Sequence, residues 1–180
     1  MTPSTAWVEH PEAFPGEIIE LLEVIADEVG SYPAVYVKGN ELLSLDLFGN
    51  FRAIPSEVFE LASVTDLTVR STEIEQIPPE IARLGSLRSL TIRNSKITTL
   101  PPEVGSLRRL KVLRVIDGHL TDLPAELSTL SDLEELCLSA NPLGEIPEVV
   151  SALPALRELI VADCGLKSLP ENLALIPTLT

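Results

Sequence analysis

Arginine is the residue through which this chain could do surface chemistry. Arg70, Arg93 and Arg114 recur at intervals of 23 and 21, with Arg88, Lys96 and Lys111 among them. Residues 70–114 hold 9 basic and 4 acidic side chains, a net +5 inside a chain of net −14. The flanks are the reverse: residues 1–69 hold 2 basic and 12 acidic side chains (net −10), and residues 115–180 hold 2 and 11 (net −9). Guanidinium groups gathered on one surface bind carboxylates and phosphates through paired, charge-assisted hydrogen bonds. The segment therefore points to capture of an acidic or phosphorylated protein segment. An alternative stays open at this stage: the cations are ordinary solvated surface, each paired with a neighbouring carboxylate. Nucleic acid fits poorly, because its affinity rests on broad phosphate neutralisation and both flanks are strongly acidic.

Residues for covalent or acid–base chemistry are sparse. The two histidines are His10, in an N-terminal arm, and His119, on the turn after a strand. Cys137 falls one repeat away from His119, but a nucleophile needs a base in reach and a third group to orient that base. There is no glycine-rich phosphate loop, no cysteine pair at metal spacing and no histidine cluster. The reading is a non-enzyme with no cofactor, no metal and no small-molecule substrate.

What positions the cations is a repeat. An L-x-x-L-x-L-x-x-N-x-L run begins at Leu42, Val64, Leu87, Leu110, Leu133 and Leu156, one spacing of 22 and four of 23, and a seventh unit opens at Leu179. The fourth and sixth places read Leu45/Leu47, Leu67/Val69, Leu90/Ile92, Leu113/Val115, Leu136/Leu138 and Leu159/Val161. Alternation of this kind predicts a strand with one buried face. Each unit then has Ile-Pro or Leu-Pro, at Pro55, Pro78, Pro101, Pro124, Pro147 and Pro170, followed by a carboxylate and two spaced aliphatics. Proline suits the first helical position and glutamate the positive end of the peptide dipoles, so one helical or 3₁₀ turn per unit is expected on the outer side.

Six units in register resemble the leucine-rich repeat, over about residues 42–180. The 23-residue form with Leu-Pro before the outer arm is similar to the typical class of intracellular Ras-suppressor-like proteins and of many bacterial repeat proteins. The resemblance implies an α/β fold: a right-handed solenoid, with a parallel β-sheet on the concave face and short helical or 3₁₀ turns on the convex face. It also implies that binding sits on the concave strands. The departure is at the ninth place, where the family has Asn or Cys bonding the backbone of its own and the next coil. Here the column reads Asn50, Thr72, Ser95, Gly118, Asn141 and Cys164. Gly118 supplies no side-chain partner, so a water or a neighbouring backbone group is expected there, with lower local stability; Asn94 is a candidate to compensate for Ser95.

Residues 1–41 are expected to cover the first coil. Ile18, Leu21, Leu22, Ile25 and Val29 share one helical stripe against an acidic remainder, and Gly30 ends the helix. Val35-Tyr36-Val37 then predicts an edge strand or hairpin leading into Leu42. The polar face is acidic, which argues for an amphipathic cap over a membrane helix. No polar cap follows Ile176, so either the last coil tolerates an open end, which could self-associate, or the native chain continues beyond Thr180. A monomer is the primary expectation. Residues 1–16 lack a basic start and an apolar run, and no segment approaches a membrane span. Cys137, at an exposed strand place, and Cys164, at an inward turn place, do not correspond, so no disulfide is expected. A cytoplasmic protein is the reading, with an effector translocated into a host cell as the alternative.

On the strands, the fifth-place column is Asp46, Thr68, Thr91, Arg114, Cys137 and Ile160, and the seventh is Phe48, Arg70, Arg93, Ile116, Ser139 and Ala162. Arg70 and Arg93 are then lateral neighbours, with Arg114 diagonal to them and Asp66, Glu135 and Glu158 rimming the patch. Phe48, Phe51, Ile116 and Ile160 form an apolar thread beside it; Phe48 and Ile116 are the anchor candidates because they share the arginine column. The candidate partner-binding set is thus Arg70, Arg88, Arg93, Lys96, Lys111, Arg114, Phe48 and Ile116. The function expected is a non-catalytic protein-interaction module. Its alternatives are the substrate-recognition part of a larger enzyme, such as an effector ubiquitin ligase or a kinase, and a self-associating scaffold. Replacing Arg70, Arg93 and Arg114 together by Glu is expected to abolish partner capture without changing the melting temperature.

Overall fold

The computed structural model describes residues 16–38, 41–71, 73–171, 173 and 176. His10, Thr72 and the unit opening at Leu179 lie outside the described residues. Helix α1 (Gly16–Val29) buries Leu22, Ile25, Ala26 and Val29 and rests Ile18 and Leu21 on the same core, while its five carboxylates stay exposed. Gly30 closes it at φ +73°, donating its N–H to Ala26 O at 3.0 Å. A left-handed residue after the last helical turn is the usual stop, and glycine adopts it without a Cβ clash. α1 packs against strand β2 (Glu41–Gly49) and the first convex turn. β1 (Ala34–Lys38) pairs with β2 antiparallel, with a register shift between Tyr36 and Val37.

From β2 onward every pairing is parallel: β3 (Asp66–Ser71), β4 (Ser89–Arg93), β5 (Val112–Ile116), β6 (Glu135–Cys137) and β7 (Glu158–Ile160), in the order of the chain. Each coil returns through a five-residue 3₁₀ turn: Ser56–Glu60, Pro79–Arg83, Pro102–Ser106, Ala125–Thr129 and Glu148–Ala152. The repeat's proline lies one place earlier than the first helical position expected for it. Pro55, Pro78, Pro101, Pro124 and Pro147 are the residues before these turns, and their carbonyls accept the first internal bonds, from Val58, Ile81, Val104, Leu127 and Val150.

One coil shows why the stack is the unit of stability. Leu87, Leu90, Ile92, Ile97, Leu100, Val104 and Leu107 are each no more than 2% exposed. Burying such a side chain gains roughly 1.5–3 kcal/mol. A single coil would leave both of its flat faces wet, so that gain exists only when coils stack.

The ninth-place ladder differs from the expected column in detail. Asn50 is exposed, and Phe51, expected on the surface, turns inward to 5% exposure. In the second unit Ser71 is buried and donates to Phe51 O at 2.6 Å. Asn94 does not compensate for Ser95: it is exposed and holds the left-handed conformation at φ +53°, as do Asp117, Ala140 and Asp163 at the same place in later coils. Ser95 Oγ is buried without a partner among the described residues.

Asn141 is the strongest rung. Its amide donates to Val115 O and Leu138 O at 2.8 Å and to Ser139 O at 3.2 Å, while Oδ1 accepts from Leu120 N at 3.0 Å. The missing side chain at Gly118 is what makes room for it, since a Cβ there would meet Asn141 Oδ1 at 2.9 Å. The Gly118 N–H is itself satisfied by the neighbouring Ala140 O at 3.1 Å. Asn141→Ala is expected to cost about 3 kcal/mol, because it leaves a buried N–H and carbonyls without partners. Gly118→Ala should cost roughly 1–3 kcal/mol by overpacking. In urea melts of the double-mutant cycle, the Gly118 penalty should shrink once Asn141 is already alanine.

Candidate functional site

The strand pairing sets side chains of equal repeat position side by side. Phe48, Arg70, Arg93 and Ile116 form one row, through the registers Phe48↔Arg70, Arg70↔Arg93 and Arg93↔Ile116. Asp46, Thr68, Thr91, Arg114, Cys137 and Ile160 form the next. Ser89, Val112, Glu135 and Glu158 form a third. Between β4 and β7 the strands hold a depression of about 420 Å³, lined by Thr91, Arg93, Arg114, Ile116, Glu135, Cys137, Glu158 and Ile160.

Four of the six candidate cations are tied to carboxylates of an adjacent coil. Arg70 pairs with Asp46; Lys96 meets Glu73 at 2.9 Å, and Lys111 meets Glu134 at 2.6 Å. Arg114 forms a fork on Glu135, Nε to Oε1 at 2.5 Å and Nη2 to Oε2 at 2.7 Å. Hydrogen bonds from Lys96 and Lys111 hold the carboxyls of Glu73 and Glu134 below their ordinary range, and those that Arg114 donates to Glu135 hold the Arg114 proton more tightly than usual. The acidic flanks thus neutralise the basic middle at its edges, as the alternative of paired surface charge requires. Arg88 and Arg93 are exposed, and neither side chain has a partner among the described residues.

The repeat position decides which cations are free. Lys96 and Glu73 share a place one unit apart, as do Lys111 and Glu134. Arg70 and Arg114 each reach an acid two places earlier in a neighbouring unit. Arg88 has Thr65 and Lys111 at its own place in the two neighbouring units, and Arg93 has Arg70 and Ile116, so neither has an acid next to it in its row. The expectation that Arg70, Arg93 and Arg114 could all be reversed without loss of stability is therefore altered. Only Arg93 of the three can be changed without breaking an ion pair.

Of the apolar thread, Phe48 is 39% exposed, Ile116 and Ile160 are half-buried, and Phe51 belongs to the core. Cys137, placed on the surface by its alternation, is only 5% exposed. It is a small side chain flanked in its row by Arg114 and Ile160, and its Sγ lies 3.6 Å from Ser139 Oγ. Both cysteines are free thiols, and burial pushes the Cys164 thiol up. His119 is exposed. Among the described residues no cluster of His, Cys, Asp and Glu could hold a metal ion, and no helix is long and apolar enough to cross a membrane.

Sequence reasoning passed over Asp46, which is 6% exposed. Its Oδ1 has no hydrogen-bond partner among the described residues. Burial raises its carboxyl above the ordinary value, against the lowering effect of Arg70.

A family model described as a leucine-rich repeat region matches residues 43–173. The chain belongs to the leucine-rich repeat family. Among solved structures, a leucine-rich repeat protein of Leptospira interrogans is 29% identical with a TM-score of 0.74, over 77% of this chain and 36% of that one. The leucine-rich repeat domain of the type III effector XopL is 27% identical with a TM-score of 0.61, over 68% and 45%. The chain thus spans less than half the length of either. The ectodomain of the receptor kinase SOBIR1 from Arabidopsis thaliana, 22% identical with a TM-score of 0.62 over 87% and 96%, shares the fold. No curated protein matches the sequence. Leucine-rich repeats are typically modules that bind proteins, and the family is generally non-catalytic.

The ionisation of Asp46 has a defined sign. The folded state holds its proton more tightly than the unfolded chain, so the penalty for a buried carboxylate is present above the folded pKa and is relieved as pH falls through it. Asp46→Asn should change stability by only about 1 kcal/mol at neutral pH, since it removes a charge that burial disfavours while the half-exposed Arg70 left behind stays solvated. In melts across pH, the native chain should gain on Asp46→Asn as the solution is acidified from the folded pKa towards the unfolded one.

Proposed function

We propose that this chain is a non-catalytic protein-interaction module whose concave strand face docks an acidic or phosphorylated segment, with Arg93 as the primary contact. The observation that carries this reading is that Arg93 stands exposed in the middle of the strand face, lining a depression and unpaired among the described residues, while four neighbouring cations are consumed by ion pairs. Ile116 beside Arg93 offers an apolar contact, while Arg70 on the adjacent strand is held by Asp46. Arg88, the other unpaired cation of the set, lies just before β4 and extends the positive edge. Lys96, Lys111 and Arg114 act as structural charges. The sheet is rigid before it binds, so association orders few of the module's own side chains.

A second reading has one observation in its favour: the effector's leucine-rich repeat domain is a part of its protein, and this chain covers 45% of that domain's length. On that reading the module selects substrates for an activity encoded beyond Thr180, and sequencing the native transcript past codon 180 tests it.

The docking reading is tested with an array of acidic, phosphorylated, neutral and basic peptides. The native chain should retain acidic and phosphorylated peptides, less well as salt rises. Arg93→Glu should lose about tenfold or more in affinity for them, the scale of a contributing interfacial charge, with its melting temperature unchanged. Equal retention by Arg93→Glu would overturn the assignment of Arg93.

A further inference from the structure

We propose that the strand face recognises its partner by charge order: an acidic group at Arg93, an aliphatic side chain over Ile116 and Ile160, and a basic group at Glu158. This rests on the docking reading above and adds the second half of the ligand.

The argument comes from two like-charged pairs on the sheet. Arg70 and Arg93 lie directly opposite each other on β3 and β4, and of the two only Arg70 is paired with a carboxylate, Asp46. Glu135 and Glu158 lie opposite each other on β6 and β7 and share one guanidinium, Arg114, which is forked onto Glu135 and feels the field of Glu158. Like charges opposite one another on neighbouring strands are unfavourable. Each pair is half neutralised, so one cation, Arg93, and one anion, Glu158, are left over. Both are exposed, and both line the depression of about 420 Å³.

Between these surplus charges the surface is partly apolar, beside the Arg114–Glu135 pair and Thr91. Ile116, Cys137 and Ile160 step across β5, β6 and β7 from the cation to the anion. The Cα of Arg93 and that of Glu158 are three strand spacings apart across the sheet and four residues along it. At about 4.8 Å and 3.3 Å each, that is roughly 19 Å. An extended chain covers about 3.3–3.6 Å per residue, and both side chains reach inward, so a segment of about four to six residues bridges them. Its opposite ends must carry opposite charges. A uniformly acidic segment would meet Glu158 unfavourably at its far end.

The test uses short fluorescein-labelled peptides with a central leucine, in which the residues about five positions apart are acidic and basic, both acidic, or both basic. Binding to the native chain, Arg93→Glu, Glu158→Lys and the double variant is followed by fluorescence anisotropy. The native chain should prefer the mixed peptide, Glu158→Lys the doubly acidic one and Arg93→Glu the doubly basic one, each by about tenfold for a close charge pair. The double variant should recover the mixed peptide, bound in the opposite direction. If Arg93→Glu changes the ranking and Glu158→Lys does not, the basic half is overturned while acidic docking stands. If neither changes it, both fall. A concentration-dependent dimer of the native chain, absent from both single variants by sedimentation, would assign the face to a second copy and overturn the peptide occupant.

Discussion

Everything in this molecule depends on coils stacking in one register. A parallel sheet whose strands advance one coil at a time forces residues of equal repeat position into rows about 4.8 Å apart. The aliphatic rows close the core because each buried Leu, Ile or Val of a strand has another aliphatic of the next coil beside it. The backbone follows the same rule: Arg88, Lys111, Glu134 and Arg157 each donate an N–H to the carbonyl one coil earlier, at 2.7–2.9 Å. Where one coil departs, its neighbour answers. Gly118 gives up a side chain, and the Asn141 amide occupies the space with four hydrogen bonds.

The same rows govern the charges. An acid and a base one unit apart at the same place, or two places displaced, meet across the stack. Four of the six candidate cations are used in this way, so the basic middle segment is far less basic on the surface than in the sequence. Exposed pairs such as Lys96–Glu73 add little to stability, at most about 1 kcal/mol. They matter by removing candidate cations from recognition. What remains for a partner is the residue of a subtraction, and Arg93 is its clearest positive member.

Much of this was legible beforehand, for a physical reason. Periodicity alone placed the strands, the convex turns, α1 and the neighbour relation of Arg70 with Arg93. The ion pairs were also within reach of the register, since Glu73 and Lys96, or Glu134 and Lys111, are visibly one repeat apart. Composition by segment concealed them, because it counted charges without asking which row each occupied. Other features depend on local packing that no repeat consensus encodes. Phe51 turns inward while Asn50 stays out, in the first unit, one residue shorter than the rest. Cys137 is covered because its row neighbours are larger than it is. The burial of Asp46 likewise arises where the antiparallel β1 joins the parallel stack, a place no internal repeat describes.

Asp46 also shows why surplus charge on this face is informative. A solenoid can neutralise any charge cheaply by changing one residue in an adjacent row, because the rows are independent and exposed. At Asp46 and Arg70 the chain accepts a buried carboxylate to pair a cation, against the desolvation that raises its carboxyl. Yet one strand away Arg93 stands opposite Arg70 with Ile116 on its other side, and three strands further Glu158 stands opposite Glu135. Neither arrangement helps the fold, since like charges facing across strands oppose pairing. The strand register holds their backbones opposite one another, and only the side chains can turn apart. On the docking reading proposed above, a counter-charge from outside supplies the relief, and the partner carries its charges in the order that Arg93 and Glu158 set.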